Sequence, residues 1–147
     1  MQNLPSRLRV LAILATTFSG LAAFAADEQV KLTCNVSIET TWGKGYKVEN
    51  SREMVLVTVE RISGNLFIEA DGKELIFAMS THDRNAVDQS TDDRWLLSDK
   101  VEGGASRERM IIIDRNSGTI SYSLHESVRD VTATGTCAKV DMSKKLF

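Results

Sequence analysis

Short runs in which apolar and polar residues alternate cover residues 30–140 and constrain the fold more than any other feature. The runs 55–59 and 111–113 are rich in β-branched side chains, which is typical of strands. No segment has the apolar spacing of an amphipathic helix. The pattern predicts an all-β chain with eight strands, at residues 30–40, 52–62, 66–70, 74–79, 94–99, 107–114, 119–126 and 131–140.

The connections between these runs predict how the strands are arranged. Ser-Gly-Asn at 63–65 and Asp-Gly-Lys at 71–73 are tight-turn signals, and the second is typical of a hairpin. Short connections of this kind favour an antiparallel meander. The one longer connection, residues 80–93, is acidic and contains His82. We expect a solvated loop there, with one helical turn around residues 85–89.

Two cysteines, Cys34 and Cys137, lie in the first and last predicted strands and limit how the meander closes. A disulfide between them spans 103 residues and requires Cα atoms within about 7 Å of each other. An open meander would separate its first and last strands, whereas a barrel places them side by side. We therefore predict a closed or nearly closed eight-stranded barrel, with a β-sandwich as the alternative. A redox or metal-binding pair is the other interpretation of the cysteines, but it lacks C-x-x-C spacing and clustered histidines.

Residues 1–25 have the composition of a secretory signal peptide. Arg7 and Arg9 precede a short apolar run, and Ala-Phe-Ala at 23–25 matches an A-x-A cleavage pattern. A membrane anchor is the alternative, although the apolar run is short for a span. We expect cleavage after this pattern. Residues 26–147 would then form a single β domain, periplasmic or secreted, with no membrane span.

Charge and motif content argue against several classes of function. Cleavage would remove two arginines and no acid, so the formal net charge would change from −2 to −4, which does not suit a nucleic-acid partner. The chain lacks G-x-S-x-G and H-E-x-x-H, and its only histidines are His82 and His125. We expect no catalytic residues and no cofactor. A small hydrolase that uses one of these histidines is the least favoured alternative.

The segment 114–118, Asp-Arg-Asn-Ser-Gly, has the D-x-N-x-G spacing of part of a calcium loop. The bidentate acid that such a loop needs at its twelfth position is replaced by His125. A four-residue loop, 115–118, instead places apolar side chains together on one face of a hairpin. Those side chains are Ile111, Ile113, Ile120, Tyr122 and Leu124, with Met110, Ile112, Ser121 and Ser123 on the other face. The pattern predicts a structural turn and no metal site, with Gly118 at positive φ.

A second loop, residues 41–47, carries the candidate partner-binding residues. They are Trp42, Lys44, Tyr46 and Lys47, placed around a Gly-Lys-Gly turn. Aromatic rings at a loop supply a large contact area with a polar group at the edge, which suits recognition of a protein or a sugar. The alternative is that the two rings plug one end of the barrel while the glycines turn the chain.

Four short strings carry a resemblance to known proteins. They are Ala-Phe-Ala at 23–25, Leu-Thr-Cys at 32–34, Ile-Asp-Arg-Asn-Ser-Gly-Thr-Ile at 113–120 and Gly-Thr-Cys at 135–137. Together they resemble small exported proteobacterial proteins of unknown function. The expected architecture is also similar to the periplasmic inhibitors of C-type lysozyme, which are disulfide-linked eight-stranded barrels with an S-G-S-G-A-x-Y loop. The nearest string here, Ser-Gly-Asn-Leu at 63–66, departs after two residues, so no inhibitory residue is assigned.

Besides the small hydrolase, these observations leave three functional hypotheses open. The leading one is a non-enzymatic binding or inhibitor-like module that recognises an envelope or extracellular protein through its loops. The second is a lipocalin-like carrier of a small apolar ligand, because an eight-stranded barrel can enclose one. The third is an exported structural protein.

Overall fold

The computed structural model describes residues 27–43 and 47–140, which form one antiparallel sheet of nine strands without a helix. The predicted signal peptide, Lys44 and Tyr46 lie outside the described residues. The strands are β1 (Glu28–Trp42), β2 (Lys47–Ile62), β3 (Asn65–Asp71), β4 (Ile76–Ser80), β5 (Ala86–Asp88), β6 (Arg94–Val101), β7 (Arg107–Asp114), β8 (Thr119–Glu126) and β9 (Arg129–Lys139). The expectation of an all-β fold is confirmed.

The order of strands across the sheet is β4-β3-β2-β1-β9-β8-β7-β6-β5. The first and last strands are therefore neighbours, as the cysteines predicted, but they lie in the middle of the sheet. Its two edges, β4 and β5, belong to the interior of the chain, and β4 contacts β6. The sheet thus curls into a nearly closed barrel whose seam runs between β4 and the β5–β6 pair.

The disulfide joins β1 to β9 at a directly opposed pair in their register, Cys34 and Cys137. Cys34 is fully buried, and Cys137 packs against the edge of the core. The predicted pairing of the cysteines is confirmed.

The ninth strand, β5, lies where one helical turn was expected, so that prediction was wrong. The backbone N–H of Gln89 donates to the carbonyl of Leu96, and the Oγ of Ser90 accepts the N–H of Leu96. Ala86, at the start of β5, packs against the core. These contacts bind the segment to a strand beyond it in the sequence, and this long-range pairing overrides local helical preference.

The connection between β3 and β4 is also longer than the Asp-Gly signal indicated, with four residues, 72–75, between the paired residues Asp71 and Ile76. The carboxylate of Glu53 accepts the backbone N–H groups of Lys73, Glu74 and Leu75. Burial by itself would raise the pKa of Glu53. The three hydrogen bonds together lower it by more, so the net shift of the pKa is downward. A charged acceptor on β2 therefore holds the loop open as a wider turn.

Inward-facing side chains fill the barrel. Phe77 of β4 stacks on Tyr122 of β8 with ring centroids 4.3 Å apart, across the seam side of the interior. The five side chains predicted to share the inner face of the β7–β8 hairpin are all buried. Ile113 pairs with Ile120, and Ile111 pairs with Tyr122, so the four-residue loop is confirmed.

The backbones of β1 and β9 approach each other closely at Gly135. A Cβ atom at this position would lie 2.1 Å from the carbonyl oxygen of Asn35 and 2.9 Å from the Cα of Val36. Both obstacles are backbone atoms of β1, which is paired on both sides and cannot move without disturbing that pairing. Only glycine fits this position.

Substitution Gly135→Ala is expected to lower the free energy of unfolding by about 1–3 kcal/mol, because the methyl group forces β1 and β9 apart. Equilibrium urea unfolding measures the change. Gly104→Ala is the matched control, since a Cβ there meets nothing within 4 Å, and its effect should stay within about 0.5 kcal/mol. Equal stability of the two variants would contradict the close approach.

Candidate binding site at the hairpin end of the barrel

One end of the barrel, which we call the hairpin end, holds the C-terminal ends of β1, β6 and β8 and the N-terminal ends of β2, β7 and β9. The β6–β7 connection at 102–106 and the β8–β9 connection at 127–128 lie there. The N–H of Gly43 donates to the carbonyl of Val128 at 2.9 Å and so ties the end of β1 to the β8–β9 connection. The long β1–β2 arm extends well beyond β3, which pairs with β2 only from Leu56 onward.

Trp42 lies at the rim of this end, with 37% of its surface exposed. Its indole Nε1 donates to the Oε2 of Glu49 at 3.1 Å, and the Cζ of Arg129 lies 5.6 Å from the ring centroid. Lys47, its register partner, contacts Glu49 at 2.5 Å. Hydrogen bonds from Lys47 and Trp42 lower the pKa of Glu49. The ring is therefore held in one orientation while much of it faces solvent.

Of the four predicted partner-binding residues, the structure brings Trp42 and Lys47 together across the β1–β2 hairpin. Lys44 and Tyr46 lie between them in the sequence but outside the described residues. Recognition through this loop stays a prediction.

Sequence reasoning missed a charged cluster inside the same end of the barrel. Asp99 of β6 is the only buried charged residue in the described part of the chain, with 3% of its side chain exposed. The Nε of Arg109 lies 3.0 Å from each of its carboxylate oxygens, and the Nη2 of Arg109 also binds it. Hydrogen bonding to Asp99 raises the pKa of Arg109.

The same arginine closes the seam of the barrel. The Nη1 of Arg109, on β7, donates to the carbonyl of Ala78 on the edge strand β4 at 3.1 Å. Next to this contact, Tyr122 of β8 stacks on Phe77 of β4. Burial raises the pKa of Tyr122. A buried ion pair and an aromatic stack therefore join the two sides of the sheet where strand pairing is incomplete.

A second arginine, Arg107, makes much weaker contact with Asp99 than Arg109 does. Its Nη2 lies 3.8 Å from the Oδ2 of Asp99, which Arg109 already occupies. Its Nε is shielded from solvent and has no hydrogen-bond partner among the described residues. Two guanidinium groups thus face one carboxylate, and one of them carries an unmet N–H.

A cleft of about 410 Å³ opens beside Arg107 between the β6–β7 and β8–β9 connections. Its lining residues are Val101, Ala105, Ser106, Arg107, Glu126, Ser127 and Val128. The carboxylate of Glu126 accepts a hydrogen bond from the Nε of Arg129 at 2.8 Å. The cleft therefore combines one unsatisfied cation, two hydroxyl groups and small apolar walls.

The alternation of the sequence contained the signal for this cluster. Arg107 and Arg109 continue the inward-facing positions of Ile111 and Ile113 along β7, and Asp99 continues those of Trp95 and Leu97 along β6. Charged residues at positions that the pattern places inside a barrel require partners there. The apolar alternation that defines the faces of this hairpin ends at Met110, and the arginines lie beyond it.

The Asp-Arg-Asn-Ser-Gly segment lies at the opposite end of the barrel and forms a structural turn. The Oδ1 of Asp114 accepts the N–H groups of Ser117 at 2.7 Å and Asn116 at 2.9 Å, and these bonds lower its pKa. Gly118 has φ +70°, and its N–H donates to the carbonyl of Asp114. Across the described residues, no group of three or more His, Cys, Asp or Glu is placed to hold a metal ion.

The two histidines occupy exposed positions. The Nδ1 of His125 lies 2.9 Å from the Oδ1 of Asp130, its partner in the β8–β9 register. His82 follows β4 in the turn region that leads to β5, and its backbone N–H donates to the Oγ of Ser80.

The fold and the site define a disulfide-linked antiparallel barrel with a charged cleft at its hairpin end. Comparison with known protein families found no model that matches the chain, and comparison with curated proteins found no matching relative. Over the residues that the structure describes, there is no helix of the length and apolar character needed to cross a membrane.

Proposed function

We propose that this protein is an exported, non-enzymatic binding or inhibitor-like module that recognises an envelope or extracellular protein through its hairpin end. One observation carries the proposal. Exposed apolar and aromatic side chains lie at the same end of the barrel as Arg107 and Arg129. These exposed side chains are Trp42, Val48, Val101 and Val128, of which Val128 is 62% exposed.

The composition of this end is that of a protein-recognition surface. Tryptophan and arginine are enriched among the residues that contribute most to binding, and they work best when flanked by side chains that exclude water. Trp42 is held by Glu49 and Arg129 before any partner arrives. A side chain that is already ordered loses less conformational entropy on binding, so this arrangement favours affinity.

Two further observations support the other parts of the proposal. The Cys34–Cys137 disulfide is compatible with an oxidising compartment such as the periplasm or the cell exterior. The side chains that fill the barrel, among them Phe77 and Tyr122, favour a site on the loops over an apolar ligand inside.

A photo-crosslinking amino acid tests the location of the interface. Placed at Val128 in the exporting cell, it is expected to give a discrete cross-link to one partner protein. The matched control is Ile62, which is similarly exposed, at 55%, but lies at the opposite end of the barrel. In the Val128 background, Trp42→Ala is expected to reduce the cross-linked fraction about tenfold, because such a residue contributes roughly 1–2 kcal/mol or more.

Cross-links that form only from Ile62, or a Val128 cross-link that Trp42→Ala leaves unchanged, would exclude the hairpin end as the recognition surface. Thermal unfolding of each variant checks that the fold is retained, because Trp42 lies at the rim and outside the core cluster.

A further inference from the structure

We propose that the cleft beside Arg107 is a carboxylate-binding site that receives an acidic side chain or the C-terminal carboxylate of the partner. This inference rests on the proposed function and names the chemistry that the hairpin end recognises. Three observations carry it: an imbalance of charge, an unmet hydrogen-bond donor and the lining of the cleft.

The imbalance arises because Asp99 is shared by two arginines. The Nε of Arg109 lies 3.0 Å from both carboxylate oxygens of Asp99, whereas the Nη2 of Arg107 comes only within 3.8 Å of the Oδ2 of Asp99. Glu126, the register partner of Arg107, is bound by Arg129, so the three arginines hold one positive charge more than the two acids neutralise. A partly buried guanidinium group is stabilised when an anion supplies the missing charge.

The unmet donor is the buried Nε of Arg107, which lacks a partner among the described residues. A buried donor without an acceptor is a rare feature of native proteins, and a bound water or ion is one of its ordinary explanations. Because Nε makes no hydrogen bond within the described chain, the guanidinium group can shift toward the cleft without breaking one at that atom. A planar carboxylate can then accept two parallel N–H groups from it.

The lining of the cleft selects a monoanion with an apolar stem. The hydroxyl groups of Ser106 and Ser127 are additional donors, and Val101 and Val128 supply apolar walls. Glu126 also lines the cleft, and although Arg129 binds it at 2.8 Å, its negative charge opposes a doubly charged ligand. This balance favours a carboxylate over a phosphate dianion.

A nuclear magnetic resonance titration tests the site with defined probes. The probes are N-acetyl-glutamate with an amidated α-carboxyl group, an acetylated alanine dipeptide with a free C-terminus, the fully amidated form of each, and inorganic phosphate. Both carboxylates are expected to shift the Nε–Hε signal of Arg107 saturably. The carboxylate probe that binds more tightly identifies whether the partner supplies a side chain or a C-terminus. The amides and phosphate are expected to bind at least about tenfold more weakly.

Arg107→Gln is expected to weaken carboxylate binding about tenfold or more, monitored through backbone signals of Ser106 and Ser127. Its thermal stability should not fall, because the change removes an unmet buried donor and leaves the Asp99–Arg109 pair in place. Arg84→Gln is the control, since Arg84 is exposed in the turn region between β4 and β5 and its loss should leave binding unchanged. Amides that bind as well as acids, or an Arg107→Gln variant that binds undiminished, would overturn the proposal.

The two proposals fail separately. If the Val128 cross-link to the partner persists at full yield in Arg107→Gln, the hairpin end still recognises the partner and the carboxylate site is wrong. If the carboxylate probes bind but no partner cross-links from Val128, the site exists and the proposed recognition of a protein through this end is wrong.

Discussion

Loss of the Cys34–Cys137 disulfide is expected to lower the free energy of unfolding by about 4–5 kcal/mol. The bridge spans 103 residues, and a cross-link over such a span removes a large part of the conformational entropy of the unfolded chain. It also joins β1 to β9, the pair at the centre of the sheet. Equilibrium urea unfolding of the oxidised protein, and of the protein reduced beforehand, measures the difference in the free energy of unfolding.

The doubly substituted variant Cys34→Ala/Cys137→Ala separates the cross-link from the packing of its sulfur atoms. It should be less stable than the reduced protein, because Cys34 is fully buried and its truncation leaves a small cavity. A reduced protein within about 1 kcal/mol of the oxidised one would contradict this prediction and would mean that residual structure already restrains the unfolded chain without the disulfide.

The second large effect is expected at the seam. Arg109→Leu should lower the free energy of unfolding by about 3–5 kcal/mol, because it leaves the carboxylate of Asp99 buried without its principal partner. It also removes the hydrogen bond to the carbonyl of Ala78 that joins β7 to the edge strand β4. Urea unfolding again supplies the measurement.

The double variant Arg109→Leu/Asp99→Leu is the decisive control for this prediction. Replacing both partners by apolar residues removes the uncompensated charge, so we expect it to recover most of the lost stability. A double-mutant cycle gives the coupling between the two residues. A double variant as unstable as Arg109→Leu alone would assign the loss to Ala78 and packing and not to the buried charge.

Alternation predicted most of the strands, because a strand places successive side chains on opposite faces wherever it is paired. The β7–β8 hairpin shows how far this extends, since the apolar positions 111, 113, 120 and 122 are enough to select the register that the two strands adopt. The strand β5 could not be found this way. It has three residues, and its pairing depends on β6 and on Ala86 reaching the core.

The candidate site also contains residues that the sequence could reveal and others that it could not. Trp42 and Lys47 were identifiable because an aromatic residue beside a Gly-Lys-Gly turn is a local pattern. The cleft of Arg107 was not identifiable, because it combines the β6–β7 and β8–β9 connections, which the sequence separates by about twenty residues. Its character also depends on Arg109 occupying Asp99, a choice between two similar side chains that only their positions in the barrel decide.

The sequence by itself determined the all-β class, the faces of the strands and the proximity of the first and last strands. These properties follow from the two-residue period of a strand and from the reach of a disulfide, both of which are local geometry. The tertiary structure alone decided where the sheet remains open. The cysteines placed β1 beside β9, but the seam lies between β4 and the β5–β6 pair, where Arg109 and its buried carboxylate partner close the barrel. That position depends on how the sheet curls around its side chains, a long-range balance that no single segment contains.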